Sequence, residues 1–281
     1  MGRTLLFLKR RIRAEMMKIV ATLLGYRSTG HYELDLDESH IYSHTTPGSD
    51  LEAIHRNFLG PDGWMKSRQL RKSVDAQGLP IPWLSYPSIH FMESLNRRKM
   101  SVLEFGGGAS TVWFSRFFES VVCIESDATY KQQIQSVVGS NAVVIDFHEI
   151  ASSPNSLDIP VALLDFDRKD MPLANINEFL GKLASVAQMV READLILIDG
   201  GPRNVYLWLA RQFCTPSSIL VVDNTDQPYT QPGLALFDSA NFLKIPFFGL
   251  SPINSYPGET SVLIPIEGLS SNPHFSQGTE Q

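Results

Sequence analysis

Cysteine, zinc-type histidine spacing and long apolar runs are scarce in this chain, and each shortage removes a class of protein. Only two cysteines occur, Cys123 and Cys214, far apart and in apolar surroundings with no C-x-x-C spacing. That excludes a disulfide framework and fits a reducing, cytoplasmic setting. None of the seven histidines falls in an H-x-H or H-E-x-x-H pattern, so a zinc site has no support. No uncharged apolar stretch reaches the roughly 18 residues of a membrane span, and Lys9, Arg10, Arg11 and Arg13 interrupt what would be the apolar part of a signal peptide. Positive charge is also short: a net charge of −6 argues against a nucleic-acid partner, which needs a basic face.

What basic charge there is gathers at one end. Residues 1–30 hold seven Lys or Arg against Glu15 alone. Leu5, Leu8, Ile12, Met16, Ile19 and Leu23 recur there at intervals of three and four, drawing an apolar stripe on a basic amphipathic helix. Such a helix either lies on an anionic membrane surface, giving membrane association without a span, or docks on the protein's own core or a second subunit.

The remaining chain is long enough, and at 43% hydrophobic apolar enough, for one substantial core. Residues 31–97 read as a helical cap and substrate region. From 98 to 266 the pattern is regular. Apolar runs at 102–105, 121–125, 142–145, 195–199, 219–223, 242–248 and 261–265 read as strands, and 85–97, 110–118, 128–138, 175–190, 205–213 and 232–240 read as helices. Strands apolar on both faces that alternate with helices specify an α/β fold, a doubly wound, mainly parallel Rossmann-like sheet. Residues 146–174, rich in Asp and Pro, read as an insertion or lid, and 267–281 as a flexible tail.

The first strand runs into three glycines in "VLEFGGGASTVWFSR", residues 102–116. Ligands of open parallel sheets bind beyond the carboxyl ends of the strands, where such a turn lets backbone approach closely. A dinucleotide fingerprint, and with it an NAD-dependent oxidoreductase, would want glycine or alanine at 111, where the chain has Thr111. Glu104 precedes the loop, and two like charges about 5 Å apart repel by roughly 1 kcal/mol, which disfavours a pyrophosphate there. A cationic nucleoside reverses that sign. Glu125, 19 residues after Gly106 at the end of the second strand, suits the hydroxyls of a ribose in either case, or else caps the next helix.

Glu104-Phe105-Gly106-Gly107-Gly108 resembles the E/D-x-G-x-G motif of class I S-adenosylmethionine-dependent methyltransferases, and Glu125 falls at their ribose-binding acid. The resemblance covers roughly residues 82–266 and extends to "LILIDG", "LVVDNTD" and "FFGLSPINSYPGETSVLI", which look like a bacterial branch associated with glycan or natural-product modification. It implies a seven-stranded sheet of order 3-2-1-4-5-7-6 with the last strand antiparallel. It also implies S-adenosylmethionine held by Glu104, Gly106, Gly107, Gly108, Ser110 and Glu125, and methyl transfer to a hydroxyl of a small molecule or glycan. The rival of another kind is a non-enzymatic membrane-surface binding protein that keeps the cofactor fold.

Asp199 and Asp223 end adjacent strand candidates, so both carboxylates are expected at one rim of the sheet. With Asn224 they are similar to the metal-binding set of catechol-type O-methyltransferases, which implies Mg²⁺ and a catalytic role for the two aspartates. Those enzymes place a lysine base shortly after the first aspartate, whereas here Arg203 stands in that stretch. The other readings are turn-capping aspartates and a metal-free carboxylate base. Trp83, Tyr86 and Trp113 are candidates to pack on adenine or acceptor, with the core as the alternative.

Overall fold

The computed structural model describes residues 54–154, 157–166 and 176–275. The basic helix of 1–30 and most of the first half of the cap therefore lie outside the described residues. Seven strands form one sheet in the order β3-β2-β1-β4-β5-β7-β6. They are β1 Ser101–Phe105, β2 Ser120–Glu125, β3 Ala142–Asp146, β4 Leu195–Ile198, β5 Ile219–Val222, β6 Phe242–Gly249 and β7 Gly258–Pro265. The first five run parallel, while β7 pairs antiparallel with both β5 and β6. This is the order that the sequence resemblance implies.

Eight α-helices are described: α1 Trp64–Leu70, α2 Tyr86–Glu93, α3 Ala109–Phe117, α4 Ala128–Gln135, α5 Val161–Phe166, α6 Ile176–Glu192, α7 Arg203–Phe213 and α8 Gln231–Leu234. Alternation along β1 divides the core. Leu103 and Phe105 join Ile196, Ile198 and Leu220 on one face, under α6 and α7. Val102 joins Leu195, Leu197, Val221 and Val262 on the other, under α2 and α3. Glu104 falls on this second face with no exposed surface, a carboxyl group where the pattern calls for an apolar residue.

Several elements differ from the sequence reading, each for a local reason. The expected helix of 85–97 stops at Glu93, where the Ser94 hydroxyl donates to the Phe91 carbonyl at 2.7 Å. The expected helix of 232–240 is replaced by a 3₁₀ turn, Pro228–Thr230, and the single turn of α8. There the Asp238 carboxylate accepts from the Ala240 and Asn241 amides, both at 3.1 Å, and folds the chain back instead. The described parts of the expected lid are packed down, with Ile150, Ile159 and Leu163 inside the core of the first face.

Nor does a loose tail begin at 267. Asn272 Nδ2 donates to the Ser217 carbonyl at 2.9 Å, and the buried His274 meets Asp194 at 3.1 Å. Residues 276–281 are outside the described residues. No helix among the described residues is long and apolar enough to cross a membrane.

Candidate active site

In this order β1 has β2 on one side and β4 on the other, so the crossovers leave in opposite directions and a crevice opens beyond the carboxyl ends of β1 and β4. Glycine makes the two ends meet. The Phe105 carbonyl accepts from the amides of Asp199 (3.1 Å) and Gly200 (3.0 Å). Gly106 has φ +91°, and a Cβ on it would stand 2.8 Å from Gly200 Cα. A side chain there is excluded twice over, by conformation and by backbone. A Cβ on Gly107 would press on Ile134 and Cys123 at 2.7 and 2.8 Å. Gly108 differs: its φ of 172° is ordinary extended backbone, and its nearest neighbour would be Tyr130 Oη at 3.4 Å. Glycine at 108 keeps the cleft wall low.

Three clefts meet at this point, and Asp199 lines all of them. A small one of about 230 Å³ lies between Gly106–Gly107, Glu125, Phe147 and Tyr206. A second, about 470 Å³, runs along Gly107–Ser110 beneath Arg71, Lys72 and Trp83 of the cap. The third, about 480 Å³, is bounded by Trp83, Asp223, Asp226, Tyr229, Tyr256 and Thr260. Of the three aromatic candidates only Trp83 faces these clefts. Tyr86 and Trp113 are core, Trp113 wedged among Phe114, Phe117 and Phe118 with 1% of its surface exposed.

The acids of the site are held in different ways. Glu125 Oε2 accepts from the Gly107 amide at 2.9 Å, and Oε1 from the Ser126 and Asp127 amides at 2.7 and 2.9 Å. The carboxylate is thereby fixed against the loop with a lone pair still open on Oε2. Glu104 Oε1 accepts from the Ser110 hydroxyl, while its buried Oε2 has no partner among the described residues. Burial pushes the Glu104 carboxyl up to about 7, against the pull of the Ser110 bond. Thr111, at the position where a dinucleotide site wants glycine, is buried and accepts from the Gly108 amide at 2.9 Å. It closes the turn with a side chain, the work a glycine's freedom would otherwise do.

Asp199 and Asp223 come together as expected. Burial and the charge of Asp223 raise the Asp199 carboxyl well above its usual range, Arg203 opposing. Burial likewise raises Asp223, offset by the bond from Thr260. Each carboxyl thus favours its neutral form more than a free aspartate would. Thr260 Oγ1 donates to Asp223 Oδ1 at 2.6 Å, Asn224 Nδ2 donates to Asp223 Oδ2 at 2.7 Å, and Asn224 Oδ1 accepts from Tyr229 Oη at 3.0 Å. The Arg203 guanidinium donates to the Asp199 carbonyl and lies 3.3 Å from its carboxylate.

As arranged, much of the donor set proposed for Mg²⁺ is engaged by protein groups. A hard cation wants a ring of free oxygens, whereas here both Asp223 oxygens accept hydrogen bonds and the Arg203 guanidinium lies beside Asp199. Among the described residues no group of three or more His, Cys, Asp or Glu is spaced to hold a metal ion.

Gly200, Phe147, Tyr206, Thr260, Arg71 and Lys72 also border the site, and sequence reasoning did not single them out. Only the "DGGPR" stretch carried a signal, as a glycine pair at a strand end.

No family model and no curated protein matches the chain. Solved structures do align with it. The O-methyltransferase TomG from Streptomyces achromogenes, involved in tomaymycin synthesis and solved with S-adenosylmethionine, is 14% identical over 78% of this chain and 96% of its own, with a TM-score of 0.44. An O-methyltransferase from Bacillus cereus in complex with S-adenosylhomocysteine is 14% identical over 77% and 97%, also at 0.44. At that distance the likenesses carry no functional argument. The sheet order carries the fold: it is the Rossmann-like order of the class I methyltransferases.

Proposed function

We propose that the chain transfers the methyl group of S-adenosylmethionine to a hydroxyl oxygen of a small-molecule or glycan acceptor. One observation carries the reading: three clefts converge on Asp199, with Glu125 fixed against the glycine turn and Glu104 buried beneath it. A donor with a sulfonium and an ammonium gains there what a pyrophosphate would lose.

In this scheme Glu125 accepts from the ribose hydroxyls through its open lone pair, and the small cleft takes the adenosine. Glu104 supplies negative charge from beneath the loop. The methyl-bearing sulfur lies at the junction and the acceptor in the third cleft. The sulfonium is already an activated donor, so the protein's part is alignment and removal of one proton. The acceptor oxygen forms a bond to the methyl carbon as the carbon–sulfur bond breaks. The hydroxyl proton passes to a carboxylate of the Asp199–Asp223 pair, which Thr260 and Arg203 orient. The sulfur keeps the bonding electrons and leaves as the neutral thioether of S-adenosylhomocysteine.

Calorimetry with S-adenosylhomocysteine and, separately, NAD tests the first half. Binding of the thioether and not the dinucleotide is expected, and the reverse refutes the reading. Transfer of labelled methyl from donor to a panel of hydroxylated acceptors tests the second half.

A further inference from the structure

The acids described above account for the positive charges and ribose of the proposed donor and leave its α-carboxylate without a partner. Beside Glu104 and Glu125 that group would meet repulsion. Of the described residues that line the three clefts, only two carry a fixed positive charge, Arg71 and Lys72, and both stand over Gly107–Ser110 in the second cleft. We propose that Arg71 and Lys72 form the subsite for the donor's carboxylate, so that the cap closes the donor site as well as shaping the acceptor's. The proposal rests on the methyl-donor reading.

Their setting supports it. Neither side chain makes an ion pair or hydrogen bond among the described residues, so both are available to an anion. They are also not on a loose loop. Arg71 ends α1 in the left-handed conformation, φ +52°, with its amide donating to the Ser67 carbonyl. A residue other than glycine held there is costly unless its surroundings impose it. Here they do: the buried Ser67 hydroxyl donates to the Val74 carbonyl at 2.7 Å and accepts from the Val74 amide at 3.0 Å, and Val74 bridges to Pro80. Residues 71–74 are thus clamped at both ends against the core, with the two cations on the bend that faces the glycine turn.

The test compares S-adenosylmethionine with its decarboxylated form, which keeps sulfonium, ammonium and nucleoside and lacks only the carboxylate. Binding of each is measured by calorimetry to the full chain and to an Arg71→Ala, Lys72→Ala double variant. The wild-type chain is expected to prefer the carboxylated donor. The variant should lose about tenfold or more of that affinity, as for one charge-assisted hydrogen bond. Its affinity for the decarboxylated donor should not fall, which also shows the variant is folded. An unchanged affinity for S-adenosylmethionine overturns the subsite, leaving the two cations to an anionic acceptor. An equal loss for both compounds overturns it as well, since the effect is then not on the carboxylate. If neither compound binds the wild-type chain, the donor reading itself fails, an outcome distinct from the other two.

Discussion

Replacing Glu104 with glutamine should make the free protein more stable while it damages the donor site. Glu104 has no exposed surface, its Oε2 has no partner, and its carboxyl titrates near 7 where an ordinary glutamate gives 4.5. A folded-state value raised above the unfolded one contributes stability that is fully present below about pH 4.5 and lost as pH rises through 7. The difference corresponds to about 3 kcal/mol, reached on the plateau above pH 7. Glutamine keeps the shape and the acceptor for Ser110, also leaves one buried polar atom unpaired, and never ionises. Denaturant unfolding of both proteins from pH 4.5 to 8.5 isolates the effect, because other titrating groups largely cancel in the difference. The variant's advantage should be near zero at the acid end and grow to about 3 kcal/mol by pH 8. A flat difference, or a variant less stable than wild type at pH 8, would refute the claim that a charge is being forced into the core. The same group predicts that donor binding below pH 7 releases a proton, since a cation nearby favours the carboxylate. Calorimetry in buffers of different ionisation enthalpy reads that release, and the variant should show a smaller one.

Four further outcomes follow from named contacts. Gly106→Ala meets Gly200 backbone at 2.8 Å in a left-handed conformation and should lower stability by about 3 kcal/mol or prevent folding, read from melting curves. Gly108→Ala, in ordinary backbone with open space beside it, should melt within about 0.5 kcal/mol of wild type yet bind S-adenosylhomocysteine more weakly, because its methyl stands in the cleft. Asp223→Asn should cut methyl transfer by about a hundredfold or more while donor affinity holds, since Asp223 lines only the third cleft; chelation should leave turnover unchanged, and restoration by added Mg²⁺ would overturn the metal-free carboxylate base. Truncation after Gly268 removes the bonds of Asn272 to Ser217 and of His274 to Asp194, and should cost about 2 kcal/mol in denaturant unfolding.

The parts of this site that could be read in the sequence are those whose chemistry is tied to a strand end. Parallel strands buried on both faces show as short apolar runs, and whatever follows such a run lies at the rim of the sheet. That rule alone placed Gly106, Glu125, Asp199 and Asp223 together, and the observed register agrees. It says nothing of a residue whose place is set by a contact distant in sequence. Arg71 and Lys72 reach the second cleft because Ser67 clamps Val74 and a left-handed residue ends a short helix, and no periodicity records either. Trp113 fails in the other direction: it sits beside the glycine turn in sequence, but the helical turn carries its ring to the face of α3 that packs on the sheet. Arg203 was legible only as a missing lysine. Its meaning needed the geometry, which places a permanent cation beside Asp199 while Thr260, from the antiparallel β7, satisfies Asp223. Burial raises both carboxyls while those neighbours pull them back toward the ionised form, so it is the antiparallel pairing of β5 with β7, as much as the aspartates themselves, that sets what chemistry the rim can perform.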